Sequence, residues 1–570
     1  MAYEFQRLAS ASMAYGAGLV DEALMPNVNG SPQRYHIHVL RTFPFEFIAQ
    51  SLKSYLNLWN ASFTYRYSDY DPSLTKFEIG LGTSLVMVWL DYRLYMNMRP
   101  KDFSVWIQGR LHLIQQQTDK PIVINNWIEN LDAETYAGGN SPSLTWVRES
   151  NYLLQETVQG LHGVHLADLS LCSARPQESI YDYRNDRLVG YPFNAYGTEL
   201  LAQYFGLQLL PVLLAGRLKA LILDLDNTLY QGTLAEDGLD KVLLTEGHQI
   251  LQRLLLNLKQ SGLILALCSQ NQESDVMALL EQRDDFPLKK EDFSVIIANW
   301  EEKSDNIALI AEQLHVDFSA MLFVDDNPVE LMKAKDKLPA IHVLLADTDG
   351  QETKNRLIRY PGVFAVRNDE LGARRSEDIK ADQIRRRLRE EARSPFEYIK
   401  GLNMILAVNE NNPSHIGRFH ELSQKTNQFN VSLRRTESQA AKKMFFSDNH
   451  VVLTVELQDR LANSGIIGAV AVSLNEQRAT LLEFMISCRA LGRELENIIF
   501  YLLLQILLER GVLELAVERT AGPRNQPALQ WLEGIYGSKE NLELTELFKL
   551  LEPKVKGHPA EVKINGRDRG

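Results

Sequence analysis

The stretch Leu221-Ile222-Leu223-Asp224-Leu225-Asp226-Asn227-Thr228 decides the fold. A short apolar run that ends in acidic and turn-forming residues predicts a buried strand. Open α/β sheets place their ligand sites beyond the carboxyl ends of such strands. Because side chains alternate along a strand, Asp224 and Asp226 point to the same side. The stretch therefore predicts an α/β domain with a parallel sheet and two carboxylates at its edge.

Three later segments repeat this arrangement of an apolar strand followed by polar residues. They are Leu263–Leu267 before Cys268-Ser269-Gln270-Asn271, Ser294–Ala298 before Lys303, and Met321–Val324 before Asp325 and Asp326. Clustered carboxylates bind Mg²⁺, which masks the repulsion between an anionic nucleophile and a phosphate. A lysine and a hydroxyl stabilise charge on the phosphate oxygens. We therefore expect a phosphoryl-transfer site that uses Mg²⁺ as its cofactor.

The four segments resemble, in order and spacing, the four motifs of the haloacid dehalogenase (HAD) superfamily. The resemblance implies that Asp224 is the nucleophile, which forms an aspartyl phosphate, and that Asp226 is the general acid and base. It also implies two sets of binding residues. The metal ligands are Asp224, Asp226, Asp325 and, as a weaker candidate, Asp326; the phosphoryl group is positioned by Thr228, Ser269, Asn271 and Lys303.

The intervals between the motifs say how a substrate reaches this site. Asp224 and Ser269 are 45 residues apart, and Ser269 and Lys303 are 34 apart. Neither interval has room for a cap domain of ~100 residues. Phosphatases that act on small molecules exclude water during the reaction. We therefore expect an open site that faces a macromolecular carrier.

The segment after the nucleophile, Leu229–Gly238, narrows the resemblance. Together with the motifs around Cys268, Lys303 and Asp325, it resembles the FkbH-like family. That family takes glyceryl from 1,3-bisphosphoglycerate, removes phosphate and loads glyceryl onto an acyl carrier protein for polyketide-type biosynthesis. The resemblance implies two partners, a phosphorylated three-carbon acid and a phosphopantetheinylated acyl carrier protein. Here Tyr230-Gln231-Gly232 stands where the family usually has Trp-Gly-Gly, so the acyl group is glyceryl or a relative.

Apolar runs and polar stretches divide the rest of the chain. We predict an irregular lead-in at 1–33, an α/β domain at 34–210, the phosphatase domain at 216–347, a charged linker helix at 368–395, a third domain at 396–550 and a polar, frayed tail at 553–570. The strands expected in the first domain are Tyr35–Leu40, Ser84–Leu90, Pro121–Asn125 and Gly163–Leu166. The linker is either a solvated helix or a basic surface that docks an acidic partner.

The first domain faintly resembles the SGNH hydrolases, which need a serine after the first strand and a late Asp-x-x-His. Arg41–Pro44 holds no serine, and Gly190–Gly197 holds no histidine. We therefore expect an inactive scaffold. The predicted fold class is a multidomain α/β protein with a central HAD-type Rossmann-like parallel sheet. A degenerate SGNH-like α/β domain precedes that sheet, and a GNAT-like α+β domain follows it.

The third domain resembles the GNAT acetyltransferases. Arg489-x-x-Gly492 with Arg493 lies where that fold cradles a pyrophosphate at a helix N-terminus, so the resemblance implies a site for a carrier or its pantetheine arm. Glu494 takes the place of a small residue there and would repel a phosphate. Three roles stay open for this domain: acetyl transfer from acetyl-CoA, reception of a pantetheine arm or docking of the carrier, and a purely structural part.

Three cysteines are too few and too scattered for a disulfide framework or a thiolate metal site. Cys268 adjoins Ser269 at the end of a strand of the predicted site. It is either a catalytic thiol that carries the acyl group as a thioester or a buried apolar residue. Cys488 and Cys172 are weaker candidates for that role. Direct attack by the carrier thiol, without an enzyme thioester, also stays open.

Composition excludes several classes of function. With 73 acidic against 60 basic residues, the net charge is −13, whereas a non-specific nucleic-acid binder is basic. The longest apolar run, Ile498–Leu504, is far shorter than the ~20 residues that cross a bilayer. We expect a cytoplasmic protein without nucleic-acid or membrane partners. Three other functions stay open: a protein or small-molecule phosphatase without acyl transfer, a GNAT-type acyltransferase with a regulatory HAD domain, and a docking scaffold with residual phosphate binding.

Overall fold

The computed structural model describes residues 31–129, 141–173, 179–366, 381–537 apart from 383 and 386, and 541–565. The chain forms two compact units, Met1–Glu312 with Val316–Glu370 and Gln313–His315 with Leu371–Gly570. The first unit carries two five-stranded sheets and the second carries one eight-stranded sheet. The predicted α/β multidomain class with parallel sheets is confirmed. Among the described residues, no helix is both long and apolar enough to cross a membrane.

The first sheet has the strand order β2-β1-β3-β4-β5, and every neighbouring pair is parallel. Its strands are β1 (Gln33–Arg41), β2 (Ala61–Tyr70), β3 (Leu85–Trp89), β4 (Ile122–Asn125) and β5 (Val164–Ala167). The four expected strands lie within one or two residues of their predicted bounds, whereas β2 was not predicted. Polar residues alternate along β2 at the sheet edge, so it lacks the continuous apolar run of a buried parallel strand.

Helices pack beside this sheet and lead to the second one. They are α1 (Glu46–Leu56), α2 (Pro100–Gln117), α3 (Pro142–Gln159), α4 (Ser170–Ser173), α5 (Tyr183–Val189), α6 (Ala195–Gln203) and α7 (Leu210–Leu214), with a π-helical turn at Tyr204–Leu209. The lead-in predicted at 1–33 falls outside the described residues up to position 30.

The second sheet, which positions the predicted site, has the order β10-β9-β6-β7-β8 and is also parallel throughout. Its strands are β6 (Ala220–Leu223), β7 (Ile264–Ser269), β8 (Val295–Ala298), β9 (Met321–Asp325) and β10 (His342–Leu345). All four residues of β6 are buried, as expected for a central strand covered on both faces. Because β9 and β7 flank β6, the ends of three motif-bearing strands are adjacent.

The connections of the second sheet are helical. They are α8 (Leu234–Asp237), α9 (Glu246–Gln260), α10 (Glu273–Gln282), α11 (Lys303–Leu314), α12 (Pro328–Lys337) and α13 (Gly350–Leu357). Helix α9 has a capped start, because the Thr245 hydroxyl accepts a hydrogen bond from the His248 amide. Pro328 occupies the first turn of α12, where a missing amide hydrogen costs nothing. The chain therefore leads from the end of each strand into a helix, at the edge of the sheet where the site is predicted.

The second unit contains a largely antiparallel sheet, ordered β17-β16-β15-β14-β13-β11-β18, with β12 paired to β15. Its strands are β11 (Ile405–Glu410), β12 (Phe429–Asn430), β13 (His450–Gln458), β14 (Asn463–Asn475), β15 (Arg478–Ile486), β16 (Glu514–Val517), β17 (Asn541–Glu543) and β18 (Glu561–Asn565). Its helices are α14 (Pro395–Gly401), α15 (Ile416–Lys425), α16 (Ser438–Phe445), α17 (Leu495–Glu509), α18 (Gln526–Tyr536) and α19 (Leu544–Lys556).

The C-terminal tail is more ordered than predicted. Residues 553–570 were expected to be polar and frayed, but α19 continues to Lys556 and β18 pairs in parallel with β11. The backbone of β18 gains partners although its side chains are exposed, so composition alone did not reveal the strand. The linker expected at 368–395 falls outside the described residues up to position 380, and residues 387–391 are helical.

Candidate functional site

Three carboxylates meet where β6 and β9 end. Asp224, Asp325 and Asp326 each offer an oxygen, and these oxygens all lie within 4.8 Å of one another. The strand pairing places Leu223 beside Val324, and the Asp224 amide donates to the Val324 carbonyl at 3.0 Å. The sheet register itself therefore brings the carboxylates of Asp224 and Asp325 together.

Lys303 is the cation of this group. Its Nζ lies 2.7 Å from Asp224 Oδ1 and 2.6 Å from Asp325 Oδ2, and its side chain is buried. Burial alone would lower the pKa of Lys303, but the charges of the two carboxylates outweigh burial and raise it. The lysine therefore stays charged where it starts helix α11.

One lysine does not compensate three acids. Burial, followed by the charge of Asp325, raises the pKa of Asp224 well above its usual value. Burial also raises the pKa of Asp325 to about 6 and raises the pKa of Asp326. Carboxylate oxygens are the ligands that Mg²⁺ prefers, so the donor set and its excess negative charge fit a divalent cation.

Two hydroxyls predicted to hold a phosphate lie at the same edge. Thr228 and Ser269 are both fully buried. The Thr228 Oγ1 has no hydrogen-bond partner in the structure, which is rare for a buried hydroxyl. Ser269 Oγ accepts a hydrogen bond of 3.0 Å from Asn271 Nδ2. An oxyanion beside Asp224 would give the Thr228 hydroxyl the acceptor that it lacks.

Asp226 differs from the other acids and corrects one prediction. It is not in the group of three carboxylates, and both of its oxygens accept hydrogen bonds. Oδ1 accepts from the Tyr230 hydroxyl and, at 3.0 Å, from the Leu234 amide; Oδ2 accepts at 2.9 Å from Asn271 Nδ2. We expected the Asp226 carboxylate to bind the metal, but it is not among the three carboxylates that converge, and its oxygens accept hydrogen bonds from Tyr230, Leu234 and Asn271 instead. Its half-buried position leaves the acid–base role open.

Asn271 also has a different partner from the predicted one. It was expected to contact the phosphoryl group, whereas its side-chain amide donates to Asp226 and Ser269. Its side chain is 1% exposed. Asn271 is therefore placed to orient two other residues of the site.

Cys268 is fully buried, and its thiol donates to the Lys303 carbonyl at 3.8 Å. Burial raises the pKa of this thiol, so a thiolate is disfavoured. These surroundings suit a packing role and give an acyl group no visible access. Cys172 is also buried, whereas Cys488 is exposed.

The segment Leu229–Gly238 after Asp224, called the flap from here on, accommodates a glutamine at position 231. Gln231 is exposed and pairs with Leu243 across an isolated bridge, so no glycine is needed there. Gly232 is different, because its φ is 115° and a Cβ would lie 2.9 Å from Asp237 Oδ2. Asn227 Oδ1 accepts from the Gly232 amide at 3.0 Å and closes the turn. This use of Asn227 was not predicted, although an Asn before a glycine turn could have signalled it.

Comparisons with known proteins give structural likenesses of low identity. No model of a protein family and no curated protein matches the sequence. The N-terminal part of the protein BF1531 from Bacteroides fragilis, which contains a phosphatase domain complexed with Mg, is 20% identical over 63% of this chain and 99% of its own, with a TM-score of 0.47.

Two acetyltransferases are similar to a smaller part of the chain. The ribosomal-protein-S18-alanine N-acetyltransferase of Escherichia coli is 13% identical and covers 23% of this chain and 76% of its own, with a TM-score of 0.19. The PaiA N-acetyltransferase of Thermoplasma acidophilum, in complex with coenzyme A, is 10% identical over 23% of this chain and 87% of its own, with a TM-score of 0.17. The functional assignment therefore rests on the geometry of the residues.

The predicted anion loop of the second unit is only partly available. Arg493 is 2% exposed; its Nη1 lies 3.4 Å from Asp459 Oδ2, and its Nη2 donates to the Arg489 carbonyl at 2.8 Å. Arg493 was predicted to contact the carrier, whereas its guanidinium is buried and faces the buried Asp459. Arg489 is half-buried and Gly492 is exposed, so these two remain accessible.

Glu494 disfavours an anion at the start of α17. Glu494 occupies the cap position with a left-handed φ of 57° and an exposed side chain, so its carboxylate stands where a phosphate would approach.

Strand β12 pairs with the end of β15, and the Val431 amide donates to the Phe484 carbonyl at 3.1 Å. The edge of β15 beyond its pairing with β16 is therefore taken by the chain itself.

Asn194, in the segment that was compared with the late motif of the SGNH hydrolases, precedes helix α6. Its Oδ1 accepts from the Gly197 amide at 2.8 Å and caps α6, and its Nδ2 donates to the Ser179 carbonyl. Arg41, after the first strand, stacks over the Tyr67 and Tyr70 rings. Both positions therefore carry structural contacts.

Proposed function

We propose that the chain is a Mg²⁺-dependent phosphoryl-transfer enzyme whose nucleophile is Asp224. One observation carries this proposal. Asp224, Asp325 and Asp326 converge within 4.8 Å, with the Lys303 ammonium between Asp224 and Asp325. Structural ion pairs balance their charges, whereas these three acids and one lysine have an excess of negative charge. Thr228, four residues after Asp224, adds a buried hydroxyl without a hydrogen-bond partner.

Asp224, Asp325 and Asp326 would hold the Mg²⁺ ion. When bound, the ion offsets the negative charge of the carboxylates and of the phosphate, so that one anion can approach another. Lys303 and Thr228 would bind the non-bridging phosphate oxygens, and Ser269 would support them from the end of β7.

The reaction would proceed in two steps. An oxygen of Asp224 attacks phosphorus, the bond to the leaving oxygen breaks, and Asp226 donates a proton to that oxygen. In the second step Asp226 takes a proton from water, which attacks the phosphorus and breaks its bond to Asp224. Phosphate leaves, and both carboxyl groups return to their starting states.

The proposed substrate is a phosphorylated three-carbon acid, 1,3-bisphosphoglycerate, and the acceptor is the pantetheine thiol of an acyl carrier protein. The thiol sulfur attacks the acyl carbon, its proton leaves, and the acyl-phosphate oxygen departs with phosphate. The remaining phosphate ester is hydrolysed by the two steps above, which gives glyceryl-S-carrier and a second phosphate. The resemblance of Leu229–Gly238 to the FkbH-like family and the short intervals between motifs support this choice.

The test incubates the full chain with Mg²⁺, 1,3-bisphosphoglycerate and several pantetheinylated carriers, and measures the intact mass of each carrier. A glyceryl increment is expected with wild type. Asp224→Asn should give no glyceryl increment, and either no product or the phosphoglyceryl form. Asp305→Asn, an exposed acid of α11 paired with Lys337, is the matched control and should behave as wild type. No increment on any carrier would contradict acyl loading.

The alternative of a phosphatase without acyl transfer is separated by the same assay. It would release phosphate from phosphate esters while leaving every carrier unmodified. An acyltransferase with a regulatory HAD domain would transfer acetyl from acetyl-CoA and be indifferent to Asp224→Asn. The buried Arg493 and the exposed Glu494 give this last alternative less support.

A further inference from the structure

Asp226 has an unusual set of partners for a residue that moves protons. Its Oδ1 accepts two hydrogen bonds, from the Tyr230 hydroxyl and from the Leu234 amide, and both donors belong to the flap. Its Oδ2 accepts from Asn271, which comes from the end of β7. The carboxylate is therefore held from both sides, with its direction set by the flap on one side and by the sheet on the other.

Tyr230 is part of the hydrophobic core that packs against the second sheet. Its side chain is 0% exposed, and its ring lies 5.9 Å from the Phe286 ring. The backbone of the preceding turn is also fixed, because Gln252 Nε2 donates to the Leu229 carbonyl at 2.8 Å. Because the ring cannot swing away, the hydroxyl stays where Asp226 accepts its hydrogen.

The Tyr230 hydroxyl also stays protonated and so remains a hydrogen-bond donor. Burial, followed by the charge of Asp226, raises the pKa of Tyr230, so the phenol keeps its proton. Tyr230 stands four residues after Asp226, at a position where the resembling family usually has a tryptophan. The side chain here therefore ends in a hydroxyl that points at the carboxylate.

We propose that Tyr230 is a positioning residue, whose hydroxyl fixes Asp226 in the direction needed to deliver a proton to the leaving oxygen. The proposal rests on the proposed function, because it assumes phosphoryl transfer to Asp224. When the P–O bond breaks, the proton passes from Asp226 to the leaving oxygen, and Tyr230 keeps its own proton throughout. A carboxyl group that rotates freely would seldom point at that oxygen.

The leaving group provides the readout. An alkoxide is a poor leaving group and needs the proton, whereas 4-nitrophenolate leaves without one. The value of kcat/KM reports the steps up to the first irreversible one, which here is transfer of the phosphoryl group to Asp224. A role in positioning Asp226 therefore predicts different losses for alkyl and aryl phosphates.

The experiment measures kcat/KM of the full chain with Mg²⁺ for glycerol 3-phosphate and for 4-nitrophenyl phosphate. Tyr230→Phe keeps the buried ring and removes only the hydroxyl. We expect it to lower kcat/KM about tenfold or more for the alkyl phosphate and less than about twofold for the aryl phosphate. Tyr360→Phe removes another phenol hydroxyl from the same hydrophobic core and should change neither value.

Two results would overturn the proposal: equal losses for the two substrates, or no loss for either. A partly unfolded variant lowers both apparent kcat/KM values by the same factor, so their ratio tests the proposal whatever fraction of the enzyme is folded. Failure of the underlying function gives a different pattern, in which Asp224→Asn retains the activity of wild type with both substrates. The positioning role and the nucleophile are thus tested separately.

Discussion

The two parallel sheets of the first unit place polar side chains at the same kind of edge but use them differently. At the first sheet, Asn125 Oδ1 accepts from the Leu90 amide at 2.7 Å and its Nδ2 donates to the Leu90 carbonyl at 3.0 Å. At the second, Lys303 pairs with two of three converging acids, and the Thr228 hydroxyl has no hydrogen-bond partner. A position beyond the carboxyl ends of strands is therefore not enough for a site. Charge that the protein leaves uncompensated distinguishes the second edge.

Asp224→Asn should give the largest effect at the second edge. An amide cannot attack phosphorus, so we expect the turnover of 4-nitrophenyl phosphate to fall about 1,000-fold or more. Steady-state assays with Mg²⁺ measure this, with Asp305→Asn as the control. A variant that keeps more than about a tenth of wild-type turnover would remove the distinction between the two edges.

Lys303→Met should test whether the buried charges of the second edge depend on one another. Without the ammonium, Asp224 and Asp325 lose their cation, and the free energy of unfolding should fall by about 3 kcal/mol. Urea titration without Mg²⁺ measures the change. Lys337→Met, which removes an exposed ion pair with Asp305, should leave stability as in wild type. Equal stability of the Lys303 variant and wild type would show that the acids do not need this cation.

Mg²⁺ should raise the Tm by binding at the second edge, and a substitution at the first edge should not change that rise. A cation that binds only the folded chain adds about 2.7 kcal/mol at a concentration 100 times its Kd. We expect a rise in Tm with MgCl₂ that Asp325→Asn abolishes, because that variant removes a buried carboxylate of the group. Asn125→Ala should keep the full rise. An identical rise in all three proteins would place the ion elsewhere.

The first edge should respond in stability alone. Asn125→Ala removes the side chain that satisfies the Leu90 amide and carbonyl, so unfolding should cost about 2 kcal/mol less. Phosphatase activity per folded molecule should stay unchanged. A selective loss of activity, without loss of stability, would mean that the first edge contributes to the reaction.

The second sheet could be predicted closely from the sequence. Strands β6, β7 and β9 are buried on both faces, so each reads as a continuous apolar run that ends in the motif residues. Their order along the chain also placed Lys303 with Asp224 and Asp325. These parts rest on local pattern, which a single sequence shows directly.

Other parts depend on contacts between distant residues and could not be predicted. In the sequence Arg493 looks like an exposed ligand, but in the structure it is buried and contacts Asp459, 34 positions away. The resemblance implied that Asp226 binds the metal, and only the folded segment Leu229–Gly238 shows the hydroxyl of Tyr230 beside it. Strand β2 alternates polar and apolar residues at the edge of its sheet, so it lacks the apolar run used to find its neighbours.

The most direct test of the central claim is to locate the phosphoryl group on the enzyme. The full chain is mixed with Mg²⁺ and 4-nitrophenyl phosphate, quenched in acid and treated with sodium borohydride, which reduces an acyl phosphate to an alcohol. Peptide mass spectrometry then finds the reduced residue. We predict reduction at Asp224 and none in the Asp224→Asn variant. A reduced residue elsewhere, or turnover with no reduced residue in the peptide that contains Asp224, would contradict the account.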